Sequence, residues 1–156
     1  MIKRFHASLL VASAAGLFAL AGFESGGTPR LQAYDDGIGV QTICHGHTKG
    51  VTRGMRASLG QCEQWLREDV GTAGQAIARR VQVPITQAQY DALVGFVFNV
   101  GDGNFSRSTL LRKINSGECR GAGREFLRWD RAGGKQLRGL TKRREWESKQ
   151  WLTGCE

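Results

Sequence analysis

In ITQAQYDALVGFVFNVG, residues Ile85 to Gly101, the apolar side chains do not keep to one face of a helix. Pro84 interrupts whatever precedes it, and Thr86 with Gln89 has the spacing of a capping box, so a helix starts here. Leu93, Val94, Phe96, Val97 and Val100 leave that helix nearly apolar all round. Such a helix belongs at the centre of a domain. The remaining segments must therefore supply its cover.

Downstream and upstream, most of that cover reads as helical. SLGQCEQWLREDVGTAGQAIARR (Ser58 to Arg80) opens with Ser58 and Gln61 in the same capping spacing. It then sets Cys62, Trp65, Leu66, Val70, Ala73 and Ile77 near one face. STLLRKINSG is a short helix stopped by Gly117. GAGREFLRWDRAGG predicts another, stopped by Gly133 and Gly134, and TKRREWESKQWL a last one starting near Thr141. NVGDGNFSRST reads as a loop at a cleft. Before all of these, DDGIG (Asp35 to Gly39) is a turn, and the alternation in VQTICHGHT is that of a short strand. The expected class is α+β: a small N-terminal β-hairpin or meander lobe packed on a mainly helical body, without internal repeats.

A chain of 156 residues predicts one domain with a proper core. Its 22 Lys+Arg against 14 Asp+Glu give a net charge of +8. A nucleic acid, an anionic membrane surface and an anionic wall polymer are all compatible with that charge, as is a plain solvated basic surface. Basic residues are spread along the chain without a dense tail, which argues against a nucleic-acid arm.

MIKRFHASLLVASAAGLFALAGF has the plan of an export signal, with Lys3 and Arg4 ahead of an uncharged run from Ala7 to Phe23. That run is rich in Ala, Gly and Ser and lies at the short end of what spans a bilayer, so a membrane would hold it weakly. Ala19-Leu20-Ala21 also matches the small-x-small rule for a signal peptidase, so cleavage is a rival reading. A buried cytoplasmic helix is a third. Cys44, Cys62, Cys119 and Cys155 show no CxxC spacing and, behind an export signal, favour disulfides. Three pairings are open; Cys44–Cys62 with Cys119–Cys155 is the sequence-local choice, and buried free thiols are the alternative. CHGHT contains ligand types in Cys44, His45 and His47, but it lacks a separated second pair. We expect no metal and no cofactor.

Acidic residues cluster early at Glu24, Asp35 and Asp36, with Thr42 close behind. A glycosidase needs two carboxyl groups flanking the scissile bond, one protonated and one ionised. A Glu emerging from an apolar segment suits the protonated role, because desolvation disfavours the charged form. An Asp on a wet, Gly-rich turn suits the other, and a Thr hydroxyl on the next strand can hold the water. Turn formation alone also explains Asp35 and Asp36, and a boundary charge explains Glu24.

GFE followed by RLQAYDDGIGVQTICHGHT resembles the phage-type lysozymes of glycoside hydrolase family 24. ALVGFVFNVGDGNFSRSTLLRKINSG and RWDRAGGKQLRGLTKRREWESKQWL resemble two further blocks of that family, so the likeness runs from about Phe23 to Leu152. It implies a lysozyme-like fold and hydrolysis, with inversion, of the β-1,4 bond between N-acetylmuramic acid and N-acetylglucosamine. Carried over by position, it makes Glu24 the general acid, Asp36 the carboxylate and Thr42 the water-orienting hydroxyl, with Asp35 as fallback for Asp36. It implies a structural His47 paired with an acid on the next helix, for which Asp69 is the candidate. Asn99, Asn104, Ser108 and Arg143 are candidate substrate contacts. Ser108 is equally a helix cap, and Arg143 with Arg144 equally a solvated face. Trp129 reads as core or as a sugar platform. One departure concerns spacing. Eleven residues separate Glu24 from Asp36, more than is usual in the family, and a loop carrying SGGTP is expected to absorb the excess.

With the weakly apolar N-terminal run, the resemblance extends to the signal-anchor-release endolysins. Residues 1–23 would then be a signal-anchor-release segment and 24–156 the catalytic domain. The implied partners are peptidoglycan glycan strands, the inner membrane through residues 7–23 and the host Sec machinery, with no nucleic acid and a monomeric chain. The implied location is the periplasmic side of the host inner membrane, then the periplasm. No cysteine lies in the anchor, so a disulfide switch there is excluded. A lytic transglycosylase, a secreted lysozyme with a cleaved signal and a non-catalytic wall-binding module are the competing functions, together with a basic nucleic-acid binder, which the export signal argues against.

Overall fold

The computed structural model describes residues 1–156 apart from the side chains of Glu24 and Ser25. After an extended start with one 3-10 turn at Ala7–Leu9, the chain forms helix α1 (Ala14–Ser25), strands β1 (Arg30–Asp35) and β2 (Gln41–Cys44), and the long helix α2 (Leu59–Arg80). Helices α3 (Gln87–Val100), α4 (Asp102–Ser106), α5 (Thr109–Asn115) and α6 (Cys119–Phe126) come next. A tiny hairpin of β3 (Arg131–Ala132) and β4 (Lys135–Gln136) then leads into the last helix, α7 (Arg138–Leu152). This is the expected α+β arrangement, a small β lobe on a helical body.

Helix α3 lies in the middle, as its all-round apolar surface requires. Every residue from Gln89 to Val97 is buried. Phe96 is fully enclosed and meets Phe105, Phe126 and Trp129 edge-on. Deleting a ring in such a position removes both transfer energy and packing, about 3–5 kcal/mol. Both expected capping boxes are present. Ser58 and Gln61 open α2, and Thr86 and Gln89 open α3. In each case the hydroxyl and the Gln side chain satisfy two helix-end N–H groups that would otherwise lack partners.

The N-terminal segment is docked on this body. Phe5 and Ile85 exchange two backbone hydrogen bonds of 2.8 and 2.9 Å. Ala7 is 1% and Leu20 2% exposed, and α1 packs on α3. Gly26 ends α1 in the left-handed region at φ +62°, with its N–H on Gly22 O and the Gly27 N–H on Ala21 O. That paired closure is what a helix end carrying two successive glycines permits. The helix runs across residue 23. Among the described residues, no helix is long and apolar enough to cross a membrane.

Three expectations about element boundaries are corrected. Helix α6 stops at Phe126, and Gly133 and Gly134 instead form the two-residue turn of the β3–β4 hairpin, with Ala132 opposite Lys135. Both glycines have positive φ, +56° and +77°, the pattern that suits a tight hairpin and not a helix stop. Helix α7 starts at Arg138, three residues before Thr141. The NVGDGNFSRST stretch is not wholly loop, since α4 occupies Asp102–Ser106.

Between Glu24 and Asp36 the strand β1 is also irregular. In the antiparallel β1–β2 pair, Arg30 faces Cys44 but Tyr34 faces Thr42, so β1 carries two more residues than its partner over that interval. The bulged stretch turns to a third segment, where Ala33 N–H donates to Met55 O and Ala57 N–H to Leu31 O. Two disulfides, Cys44–Cys62 and Cys119–Cys155, complete the frame. They are the sequence-local pairing.

Candidate active site

The DDGIG turn is built by its own carboxylates. Asp35 Oδ1 accepts the N–H of Gly37 (2.9 Å) and Gly39 (3.1 Å), while Asp36 Oδ1 accepts those of Ile38 (3.0 Å) and Val40 (3.1 Å). The short side chain of Asp reaches backbone two and four residues ahead, and glycines at φ +91° and +87° let the chain curl round it. Both aspartates share this local job. Their surroundings differ: Asp36, Gly37 and Ile38 line a cleft of about 720 Å³, and Asp35 is not among its lining residues.

Asn99, Val100 and Asn104 line the same cleft, as do Trp129 and Arg131–Gly133 of the hairpin. The turn from α3 into α4 at Gly101 brings both asparagines to it. Asn99 and Asn104 are exposed, and Asn104 spends one amide hydrogen on Val100 O at 2.8 Å. Trp129 is half-buried, meeting Phe96 at 5.4 Å, and also lines the cleft. Asp102 is clamped by Arg80, with Nε on Oδ1 at 2.5 Å and NH2 on Oδ2 at 3.0 Å, and Arg79 adds a contact at 3.4 Å. The Arg80 hydrogen bonds hold the Asp102 carboxyl below the usual carboxylate range.

Three candidates, Ser108, Arg143 and Thr42, are not among the cleft's lining residues. Ser108 is buried as the cap of α5, donating to Phe105 O (2.7 Å) and accepting the Leu111 N–H (3.0 Å), so its hydroxyl is turned inward, away from a sugar. Arg143 and Arg144 do not solvate a helix face, being only 3% and 0% exposed. Both pair with Glu147, and Arg143 donates to Gly95 O at 2.6 Å. A guanidinium leaves water only where a carboxylate and hydrogen bonds replace it. Glu147, three and four residues beyond the two arginines, was the sequence signal for that burial. Thr42 is also buried, on β2 opposite Tyr34, with its hydroxyl donating to Val40 O at 3.2 Å.

Glu24 lies in the last turn of α1, and its side chain is outside the described residues. The turn itself is fixed by its neighbour. Phe23 meets Trp146 of α7 edge-on with centroids 5.7 Å apart, and the Arg143 guanidinium lies 5.8 Å from the Phe23 ring centre. Sequence reasoning did not single out Trp146, because nothing local says which aromatic of α7 meets α1. On the other side of the β lobe, His47 pairs with Asp69 at 2.8 Å, as expected, and stacks on Trp65 at 4.6 Å.

A β lobe joined by a long helix to a helical body, with a carboxylate-bearing turn facing the cleft between them, is the architecture of a lysozyme. The phage lysozyme family model matches residues 23–147, and the chain belongs to that family. It is 41% identical over 149 residues to a SAR-endolysin of Bacteriophage PS119, an alignment covering 95% of this chain and 86% of the relative. It is 44% identical over 122 residues to a SAR-endolysin of Enterobacteria phage PA-2, covering 78% and 74%. Among solved structures, the muramidase domain of SpmX from Asticaccaulis excentricus superposes with a TM-score of 0.80 at 32% identity, over 90% of this chain and 97% of that one.

Proposed function

We propose that this chain is an endolysin hydrolysing the β-1,4 bond between N-acetylmuramic acid and N-acetylglucosamine, held inactive on the inner membrane until release. That it is a peptidoglycan-lytic enzyme follows from its family. The observation that carries the finer reading is the placement of Asp36, but not Asp35, on a cleft walled by Asn99, Asn104 and Trp129.

In this reading Glu24, protonated, gives its proton to the departing glycosidic oxygen. Asp36 and the Thr42 hydroxyl hold a water on the opposite face of the sugar. As that water attacks the anomeric carbon, Asp36 takes its proton and the configuration inverts. An inverting site needs its carboxyl groups about 6.5–9.5 Å apart to admit the water. Asn99 and Asn104 offer amides to sugar hydroxyls and N-acetyl groups. Arg143 acts beneath the site through Glu147, Gly95 and Phe23 and not on a peptide stem. No cofactor enters.

Control follows from the same helix. With residues 7–23 in the bilayer after export by the host Sec machinery, Glu24 is held at the membrane surface and cannot stand opposite Asp36. The catalytic unit of residues 24–156 is then tethered on the periplasmic side. After release the segment folds onto the body. Burial of Ala7 and Leu20 supports a retained segment over a cleaved one, since cutting after Ala21 would strip the cover from α3.

Glu24→Gln tests this function. Export and membrane association should persist while wall lysis falls to background; substantial remaining lysis would remove Glu24 as the acid. Product mass separates hydrolysis from lytic transglycosylation, whose anhydro product lacks the added water.

A further inference from the structure

We propose that Asp91 is the receptor for the N-terminal segment, a positioning residue that seats the first turn of α1 on α3 and so places the catalytic end of that helix. The proposal rests on the reading of Glu24 as general acid. Asp91 sits in the second turn of α3, just before its apolar centre, and is only 8% exposed. Neither its burial nor its charge is required by the cleft chemistry.

Its contacts all point to the N-terminal segment or to a residue that also holds it. Ser13 N–H donates to Oδ1 at 2.9 Å, and Ser13 Oγ donates to Oδ2 at 2.5 Å. Gln87 Nε2 donates to Asp91 Oδ1 at 3.0 Å and to Val11 O at 2.8 Å. Ser13 Oγ also accepts the Gly16 N–H at 3.1 Å, so one hydroxyl caps α1 and binds the carboxylate. An anion at a helix N-terminus is further favoured by the helix dipole, and hydrogen bonds to a carboxylate are the stronger kind.

Shape makes the seat specific. A Cβ added at Gly16 would come within 2.7 Å of Asp91 Cγ and 2.9 Å of its Oδ1, so only glycine lets the first turn lie on the carboxylate. The other end of this 12-residue helix carries Glu24. Twelve residues span about 18 Å, and a helix moves as a rod, so lifting the first turn displaces the last. Misplacing a catalytic group by about 1 Å costs on the order of 100-fold in rate. In the tethered state Ser13 and Gly16 lie in the bilayer, and Asp91 keeps only Gln87 and water. Release therefore supplies the ligand of a site already prepared on α3.

The test uses the full-length soluble chain with Ser13→Ala, Asp91→Ala, the double variant and Gly16→Ala. Each single variant should lose on the order of 10-fold in kcat on purified glycan strands with KM within about 2-fold, the signature of mispositioned chemistry and not of lost binding. The double variant should be no worse than the more impaired single one, because both remove the same contact. Protease should cut residues 7–23 in the variants and spare them in the parent. Gly16→Ala raises helix propensity by about 1 kcal/mol, so a loss of kcat there reports the seat and not the helix. Full kcat in Ser13→Ala or Gly16→Ala, additive losses in the double variant, or a segment still protected would each overturn the latch. Glu24→Gln run alongside keeps the readings apart: if it retains activity, the acid assignment fails, whereas the protease result still judges the seat.

Discussion

His47 Nδ1 lies 2.8 Å from Asp69 Oδ2, joining the segment just after β2 to the middle of α2. The His47 ring is nearly buried and lies flat on Trp65, at an interplanar angle of 4°. The pair therefore ties the β lobe to the long helix. Asp69→Asn should cost about 1–3 kcal/mol, the usual range for a partner removed from a buried polar group. Thermal unfolding checks it, with a fall of several degrees expected.

Asp35 and Asp36 make near-identical turn contacts, so their substitution separates structure from chemistry. Each Asn retains the Oδ1 that accepts the turn N–H groups. Asp36→Asn should then lower lysis by about 10²–10⁴-fold, the range for loss of a positioned base, with little change in melting. Asp35→Asn should leave lysis largely intact. The reverse result would move the second carboxylate to Asp35.

The Asp102–Arg80 clamp makes stability depend on pH. Because the folded-state pKa of Asp102 is depressed, its contribution is fully present above the unfolded value and is lost as pH falls through the folded one. Asp102→Asn should thus be less stable than the parent near neutrality, and the difference should shrink in acid. Denaturant melts across that range measure it. The pair is at the surface, with both side chains about a third exposed, so the effect should be modest and weaken with salt.

The two disulfides close loops of different length, 18 and 36 residues apart in sequence. On the chain-entropy account Cys44–Cys62 stabilises by about 3 kcal/mol and Cys119–Cys155 by about 4. Paired Ser substitutions compared by denaturant unfolding should reproduce that order. An inverted order would show that native contacts, and not loop closure, dominate.

The intact mass of unreduced, released protein should correspond to a chain starting at Met1 and lacking four hydrogens for its two disulfides. A start at Gly22 would mean ordinary signal cleavage. It would also leave Asp91 without Ser13.

Much of the fold was legible because its signals are local. Ser58 with Gln61 and Thr86 with Gln89 announce their helices within four residues, and the all-round apolar surface of α3 announces its burial. The DDGIG turn announced itself through residues that bond their own backbone. Gly133 and Gly134 misled because a helix stop and a hairpin turn both use glycine at positive φ. The pairing of Lys135 and Gln136 back onto Ala132 and Arg131 makes this one a hairpin turn. The bulge in β1 was hidden because its register depends on Met55 and Ala57, more than twenty residues away.

Sequence alone determined where the main helices begin, that the chain is a β lobe on a helical body, and which acids stand near the turn. Only the tertiary structure decided which polar groups turn inward. Arg143 and Arg144 read as substrate contacts or a solvated face, and nothing in the sequence singled out Asp91, yet all three are buried, Arg143 on Gly95 O forty-eight residues earlier and Asp91 on Ser13. The reason is physical: apolar burial follows composition along a segment, whereas a polar group is buried only where a partner replaces its water. That partner is set by packing. For Asp91 it is Ser13, seventy-eight residues earlier, and the match exists only once α1 lies on α3.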